Sequence, residues 1–337
     1  MLYRIFPLAL FVALQLTAIQ VAAFFVRAPS STTTAAAAAT ATTHSRLLPP
    51  LRAGGNGDET KHVLVTGGNK GIGRAICERL LTEHPEVTVL LGSRDAGRGS
   101  QAVTAIEEAV GQDKCKDRLH VISLDTSSPD SVQAAVKEVQ KITSTLYGII
   151  NNAGIMKRGD VVGSNNINYL GPRRVNDAFM GMMQRPGGRI VNIASASGPI
   201  FVSGCSNPAL VEKLSKPWTT SIKELDDIAT DPNRSNGGDA YGFSKALVNA
   251  YTWWLAKENE DLIINSVTPG YILTDMTRGA GASNPPSKGA IPPVWLLMSE
   301  ELTQVPTGRY YGSDCKRSPL DAYRGPGDPV YEGPDGP

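Results

Sequence analysis

Across its 337 residues the chain has only four cysteines and four histidines. Cys77, Cys115, Cys205 and Cys315 stand far apart, so neither a CxxC redox motif nor a zinc site of paired cysteines can be drawn. His44, His62, His84 and His120 are equally scattered, and no metal is expected. The formal net charge is +1. No basic run interleaves with aromatics, so nothing points to a nucleic-acid partner. Acidic residues are missing altogether before Asp58, and lysine before Lys61. That gap separates the first stretch of the chain from the rest.

The stretch reads as a leader. Arg4 precedes an uncharged apolar run from Ile5 to Val26, and Val21-Ala22-Ala23 has the small-residue pattern of a signal-peptidase site. The run approaches membrane-spanning length, so a retained anchor stays open, although Gln15, Thr17 and Gln20 weigh against it. Residues 24–57 are rich in Ser, Thr and Ala, the composition of a transit peptide that cannot bury a core. A signal peptide (1–23) followed by a transit-like segment, joined at AAFFVRAP, resembles the leaders of proteins sent into plastids of secondary origin in algae. The alternative destination is the endoplasmic reticulum or secretory pathway. The mature protein is expected to be soluble.

From residue 58 to about 325 the texture is that of one folded domain. Short β-branched runs (His62–Val65, Val87–Leu91, Leu119–Leu124, Leu146–Asn151, Arg189–Ala194, Leu262–Thr268) alternate with helical patterns (Gly71–Leu81, Arg98–Val110, Ser131–Thr143, Pro172–Met183, Ala240–Lys257). Such alternation implies βαβ units, hence an α/β fold with a doubly wound parallel sheet. Continuous apolar strands such as LYGIIN fit burial on both faces. The Pro/Gly-rich tail, residues 326–337, is expected to be disordered.

TGGNKGIG, Thr66 to Gly73, sits between the first strand and the first helix. There Gly67 permits a tight turn, while Gly71 and Gly73, with Asn69, Lys70 and Ile72 around them, let backbone approach a pyrophosphate at the helix N-terminus. A dinucleotide is therefore expected. Binding of NAD usually places a carboxylate at the end of the second strand, but here that end reads Leu91-Gly92-Ser93-Arg94. Lys70, Arg94 and Arg98 supply cations that suit a 2′-phosphate, so NADP(H) is predicted. Asp95, one step late, is the counter-signal.

Tyr241-Gly242-Phe243-Ser244-Lys245 places a tyrosine and a lysine at i and i+4 on one helix face. The ammonium would lower the tyrosine pKa, making it a proton donor to a carbonyl oxygen. Three strand ends supply company: Asn151-Asn152-Ala153-Gly154, Asn192-Ile193-Ala194-Ser195, and Pro269-Gly270-Tyr271-Ile272-Leu273-Thr274-Asp275. All fall at the carboxyl edge of a parallel sheet, where ligands bind.

Together with Leu124-Asp125 and NYLG at Asn168, this ordered set resembles the short-chain dehydrogenase/reductase family from about Lys61 to Ser318. The resemblance implies roles. Tyr241 would be the general acid, Lys245 would lower its pKa and hold the nicotinamide ribose, and Ser195 would orient the substrate carbonyl. Asn168 would support a water-linked relay to Lys245, and Asp125 would lie near the adenine. Asn151 and Gly154, with Ala153 between, would flank the adenosine ribose. Ile272 and Thr274, after Pro269 and Gly270, would flank the carboxamide.

One branch looks most similar, the monomeric NADPH-dependent carbonyl reductases, through NKGIG, Arg94-Asp95 with Arg98-Gly99, and a long helical insertion, residues 198–239, before the catalytic tyrosine. That branch implies a monomer acting on a small-molecule ketone, aldehyde or quinone. Two alternatives stay open: a plastid reductase dedicated to a 3-oxoacyl or pigment-pathway carbonyl, and a non-catalytic NADPH sensor.

Overall fold

The computed structural model describes residues 60–231, 239–304 and 306–334. The leader lies outside the described residues, as do the end of the insertion (232–238) and the last three positions. The chain runs β1 (Lys61–Val65), α1 (Gly71–Glu83), β2 (Val87–Ser93), α2 (Ala96–Val110), β3 (Leu119–Ser123), α3 (Pro129–Val139), β4 (Gly148–Asn151), α4 (Val161–Asn168), α5 (Leu170–Phe179) and β5 (Arg189–Ile193). It continues through α6 (Ser197–Ser203), α7 (Pro208–Ser215), α8 (Ile222–Thr230), α9 (Ala240–Glu258), β6 (Ile263–Val267), α10 (Ile291–Met298) and β7 (Tyr310–Tyr311).

The strands form one parallel sheet in the order β3-β2-β1-β4-β5-β6-β7. Successive strand residues point to opposite faces, and the sequence fills both. Leu64, Ile149, Ile190 and Ile264 pack into one layer with α3, α5 and α9. Val63, Val65, Ile150, Val191 and Ile263 pack into the other with α1, α2 and α10. The chain therefore winds both ways from the β1–β4 pair, and at such a switch point a crevice opens beyond the carboxyl ends of the strands. The doubly wound α/β architecture expected from the alternating pattern is the one observed.

Three features were not legible in the pattern. Strand β7 is only two residues long and sits at the edge. Residues 161–168 form a helix that breaks at Tyr169 before α5 begins. The Pro/Gly tail, expected to be disordered, is held down as far as it is described. The Arg324 guanidinium donates to both Asp314 carboxylate oxygens, at 2.9 and 2.7 Å. Arg317 donates to the Gly333 carbonyl at 2.7 Å, and its guanidinium lies 4.9 Å from the centre of the Tyr331 ring. Proline and glycine prevent a helix here but leave arginine side chains free to pin an irregular backbone.

Between Ser197 and Thr230 the chain forms α6, α7 and α8. A capping box starts α8: the Ser221 hydroxyl accepts from the Glu224 amide while the Glu224 carboxylate accepts from the Ser221 amide. Its buried face, Leu225, Ile228 and Ala229, joins the α9 layer of the core. Polar contacts then fix the docking, with Tyr169 donating to Asp226 at 2.7 Å and the Asn165 amide to the Ala229 carbonyl at 2.8 Å.

Candidate active site

The β1–α1 turn has the shape of an anion cradle. Gly67 has φ +63°, the left-handed region. A Cβ on Gly73 would lie 2.2 Å from the Gly67 carbonyl oxygen, so helix and turn can meet only without a side chain there. Lys70 occupies the N-cap of α1 without a side-chain cap, and the first turn contains no acid. The leading N–H groups are thus free for an anion, and the helix dipole favours one. Asn152 braces the turn, its side-chain amide donating to the Thr66 and Gly67 carbonyls at 2.9 and 3.1 Å.

Asn151, the residue predicted to flank the ribose, has its side chain buried within the sheet layer. It donates to the side-chain oxygens of Asn176 at 2.8 Å and Asn192 at 2.9 Å. Asn151 pairs with Asn192 across the β4–β5 ladder, so strand alternation sends the first asparagine inward and leaves the second facing the turn. Ala153 donates its amide to the Thr66 hydroxyl at 3.0 Å.

The residues expected to handle the proton converge at the adjoining strand ends. Asp239 caps α9, accepting from the Tyr241 amide at 3.1 Å. One turn on, Lys245 is 4% exposed and donates to the Ile193 carbonyl at 2.7 Å. Burial lowers its pKa to about 8. Asn168, at the α4 break, accepts from the Ile155 amide and donates to the Ile155 carbonyl, both at 2.8 Å, and donates to the Ser244 hydroxyl at 2.9 Å. It thereby ties the loop after β4 to α9. Gly154 lies at the meeting point: a Cβ there would come 3.2 Å from Asn168 Oδ1 and 3.6 Å from Lys245 Nζ.

Tyr241 departs from its expected electrostatics. Lys245 Nζ lies 5.7 Å from the centre of the Tyr241 ring and gives one of its three N–H donors to the Ile193 carbonyl. Burial pushes the Tyr241 hydroxyl up from its usual value, a hydrogen bond with Ser195 pulls it back, and the Asp239 charge pushes it up again. The net direction is upward, so the phenol keeps its proton in this state. Ser195 follows β5, and its hydroxyl also accepts from the Ser197 amide at 3.2 Å.

The loop after β6 closes the other side. Gly270 has φ +91° and turns the chain beside Ser313. Ile272 and Ile72 face each other across Gly289. Thr274 sits against Gly71, whose Cβ would be 3.4 Å from the threonine methyl. Pro269 is buried behind them.

The outer cations are less free than their spacing implies. Lys70 pairs with Asp275 at 2.9 Å, and Arg98 approaches Asp95 at 3.6 Å. Asp95 itself caps α2, accepting from the Arg98 amide at 2.7 Å, so this carboxylate is committed to the helix. Arg94 is exposed at the end of β2 and helps lower the Asp125 pKa. Burial pushes that carboxyl up, but the Ser127 hydroxyl and amide, with Arg94, outweigh it. Asp125 stands next to β3, on the same rim. A separate cleft lined by Trp218, Trp253, Arg309 and Tyr331 contains none of these groups. Trp253 is twelve residues beyond Tyr241 on α9, about 18 Å along the axis.

Comparison with known proteins decides the family. The short chain dehydrogenase model matches residues 61–207. Carbonyl reductase (NADPH) 3 of Mus musculus is 30% identical over 269 residues, covering 73% of this chain and 94% of that protein. This chain belongs to the short-chain dehydrogenase/reductase family. As a short-chain dehydrogenase/reductase it is an oxidoreductase that works with a nicotinamide cofactor. Another relative, (+)-neomenthol dehydrogenase of Arabidopsis thaliana, is 27% identical over 288 residues, 74% of this chain and 95% of that one. Salutaridine reductase from Papaver somniferum shares the fold, with a TM-score of 0.65 at 23% identity, covering 74% of this chain and 99% of that one.

Proposed function

We propose that the protein reduces a carbonyl compound, a ketone, aldehyde or quinone, to an alcohol with NADPH, and that Tyr241 is the general acid. The observation that carries this reading is the convergence of Ser195, Tyr241, Lys245 and Asn168 on one edge of the sheet beside an uncapped helix N-terminus. The names of the mouse carbonyl reductase and the plant neomenthol dehydrogenase support the same chemistry.

The residues present fit the cofactor. The uncapped start of α1 suits a pyrophosphate, and Lys70, Arg94 and Arg98 border the side where a 2′-phosphate would sit. When bound, the cofactor supplies the hydride. Tyr241, held protonated by burial, delivers its phenolic proton to the carbonyl oxygen as negative charge develops there. Ser195 donates to the same oxygen and fixes its orientation. Lys245 places a cation beside the phenol and stabilises the phenolate left behind. Asn168 keeps Ile155 and Ser244 in register, so the lysine side of the site stays ordered.

The test uses the full chain, following NADPH and NADH absorbance with a panel of quinones, aldehydes and ketones. NADPH is expected to be oxidised in clear preference to NADH. Tyr241→Phe is expected to slow turnover by roughly 10²–10⁴-fold; an unchanged rate overturns the mechanism.

Two further readings are proposals of the same kind. We read the protein as a monomer, because α8 occupies the face of α4 and α9; light scattering that gives twice the chain mass refutes it. We read the leader as a plastid address, and a fluorescent fusion of residues 1–60 that stays in the secretory pathway refutes that.

A further inference from the structure

Lys70 is the one candidate phosphate ligand that is carried on the glycine turn itself, and its ammonium is paired across to another loop. Its ammonium lies 2.9 Å from Asp275, a residue of the loop after β6 and 205 positions along the chain. The other carboxylate oxygen of Asp275 accepts from Arg278 at 2.8 Å. The two loops touch through Gly71 and Thr274, so Asp275 is kept close to the turn. Both partners are solvent-facing, with side chains 61% and 56% exposed.

We propose that Asp275 is a specificity-determining residue that competes with the 2′-phosphate for Lys70 and so limits the preference for NADPH over NADH. The inference rests on the reading of Lys70 as part of the phosphate site. A carboxylate against the ammonium occupies one of its donors and adds a like charge near an incoming dianion. Binding of the phosphorylated cofactor must therefore break or distort the Lys70–Asp275 pair, whereas NADH presents nothing that competes for it. Exposure bounds the size of the effect, because ion pairs of this kind are weak in water.

Asp275→Asn keeps the side-chain shape and removes the charge. Dissociation constants for NADPH and NADH, taken from quenching of tryptophan fluorescence in the full chain, provide a readout that does not depend on turnover. Asp275→Asn is expected to tighten NADPH roughly two- to fivefold and to leave NADH unchanged. The gain is expected to vanish in the Lys70→Ala background and to shrink at high salt. Equal tightening of both cofactors, or a gain that persists without Lys70, overturns the proposal. Should Lys70→Ala alone leave NADPH binding unchanged, the phosphate-site reading itself fails and the proposal falls with it. Should Lys70→Ala weaken NADPH while Asp275→Asn has no effect, only the competition is wrong.

Discussion

Lys245 and Lys70 live under different electrostatics. Lys245 is 4% exposed, donates to the Ile193 carbonyl, and has its pKa brought down to about 8 by burial. Lys70 has 61% of its side chain in solvent and answers the Asp275 charge with a short ion pair. A buried cation is costly to charge, so its protonation becomes a sensitive property of the fold. An exposed one stays charged at little cost but is worth little to any single partner. On the proposed reading, the buried lysine tunes proton transfer, while the exposed one only biases the choice of cofactor.

The largest effect that sharpens this contrast belongs to Lys245. The pKa of the folded state, about 8, lies below the ordinary 10.5, so the unfolded chain binds more protons between those values. Stability is therefore gained as pH rises from about 8 to 10.5 and lost as it falls through 8. Lys245→Met is expected to stabilise the fold at pH 7 by up to about 3 kcal/mol while turnover collapses. Thermal melts should show the gain shrinking above pH about 8; a gain constant with pH would mean that burial is not its cause.

The same contrast holds between two ion pairs. Asp314 and Arg324 have side chains only 21% and 5% exposed. Burial pushes the Asp314 carboxyl up, but the Arg324 hydrogen bonds and charge, with the Gly327 and Lys316 amides, bring it to about 2. Its contribution is present above pH 3.8 and is lost as pH falls through about 2. Arg324→Gln is expected to cost about 2 kcal/mol in denaturant melts at pH 7, because it strands a half-buried charge. A loss no larger than that of Asp275→Asn would break the comparison.

The smallest expected effect lies at the outer rim. Arg94→Ala should weaken NADPH about fivefold and leave NADH unchanged in the same fluorescence titration. A hundredfold loss would show Arg94 to be far better shielded from water than its exposure implies.

Much of the site was legible along the chain, and what was not legible shares a cause. The glycine turn, the Tyr241–Lys245 spacing and the strand ends were readable because each is a local pattern. Which asparagine of the 151–152 doublet faces the turn was not, since that depends on the β4–β5 register and on Asn176 waiting in α5. Helical spacing puts Lys245 beside Tyr241, but only packing shows that its ammonium also donates to Ile193 and that burial raises the tyrosine pKa.

Periodicity, turns and i, i+4 neighbours are set by bonds a few residues long, so composition and spacing alone determined the α/β fold and the place of Tyr241 on its helix. The pairing of Lys70 with Asp275 across 205 positions, the anchoring of the tail by Arg324, and the inward turn of Asn151 depend on which surfaces meet. Burial and long-range contact exist only once the chain has packed, and those choices belonged to the tertiary structure alone.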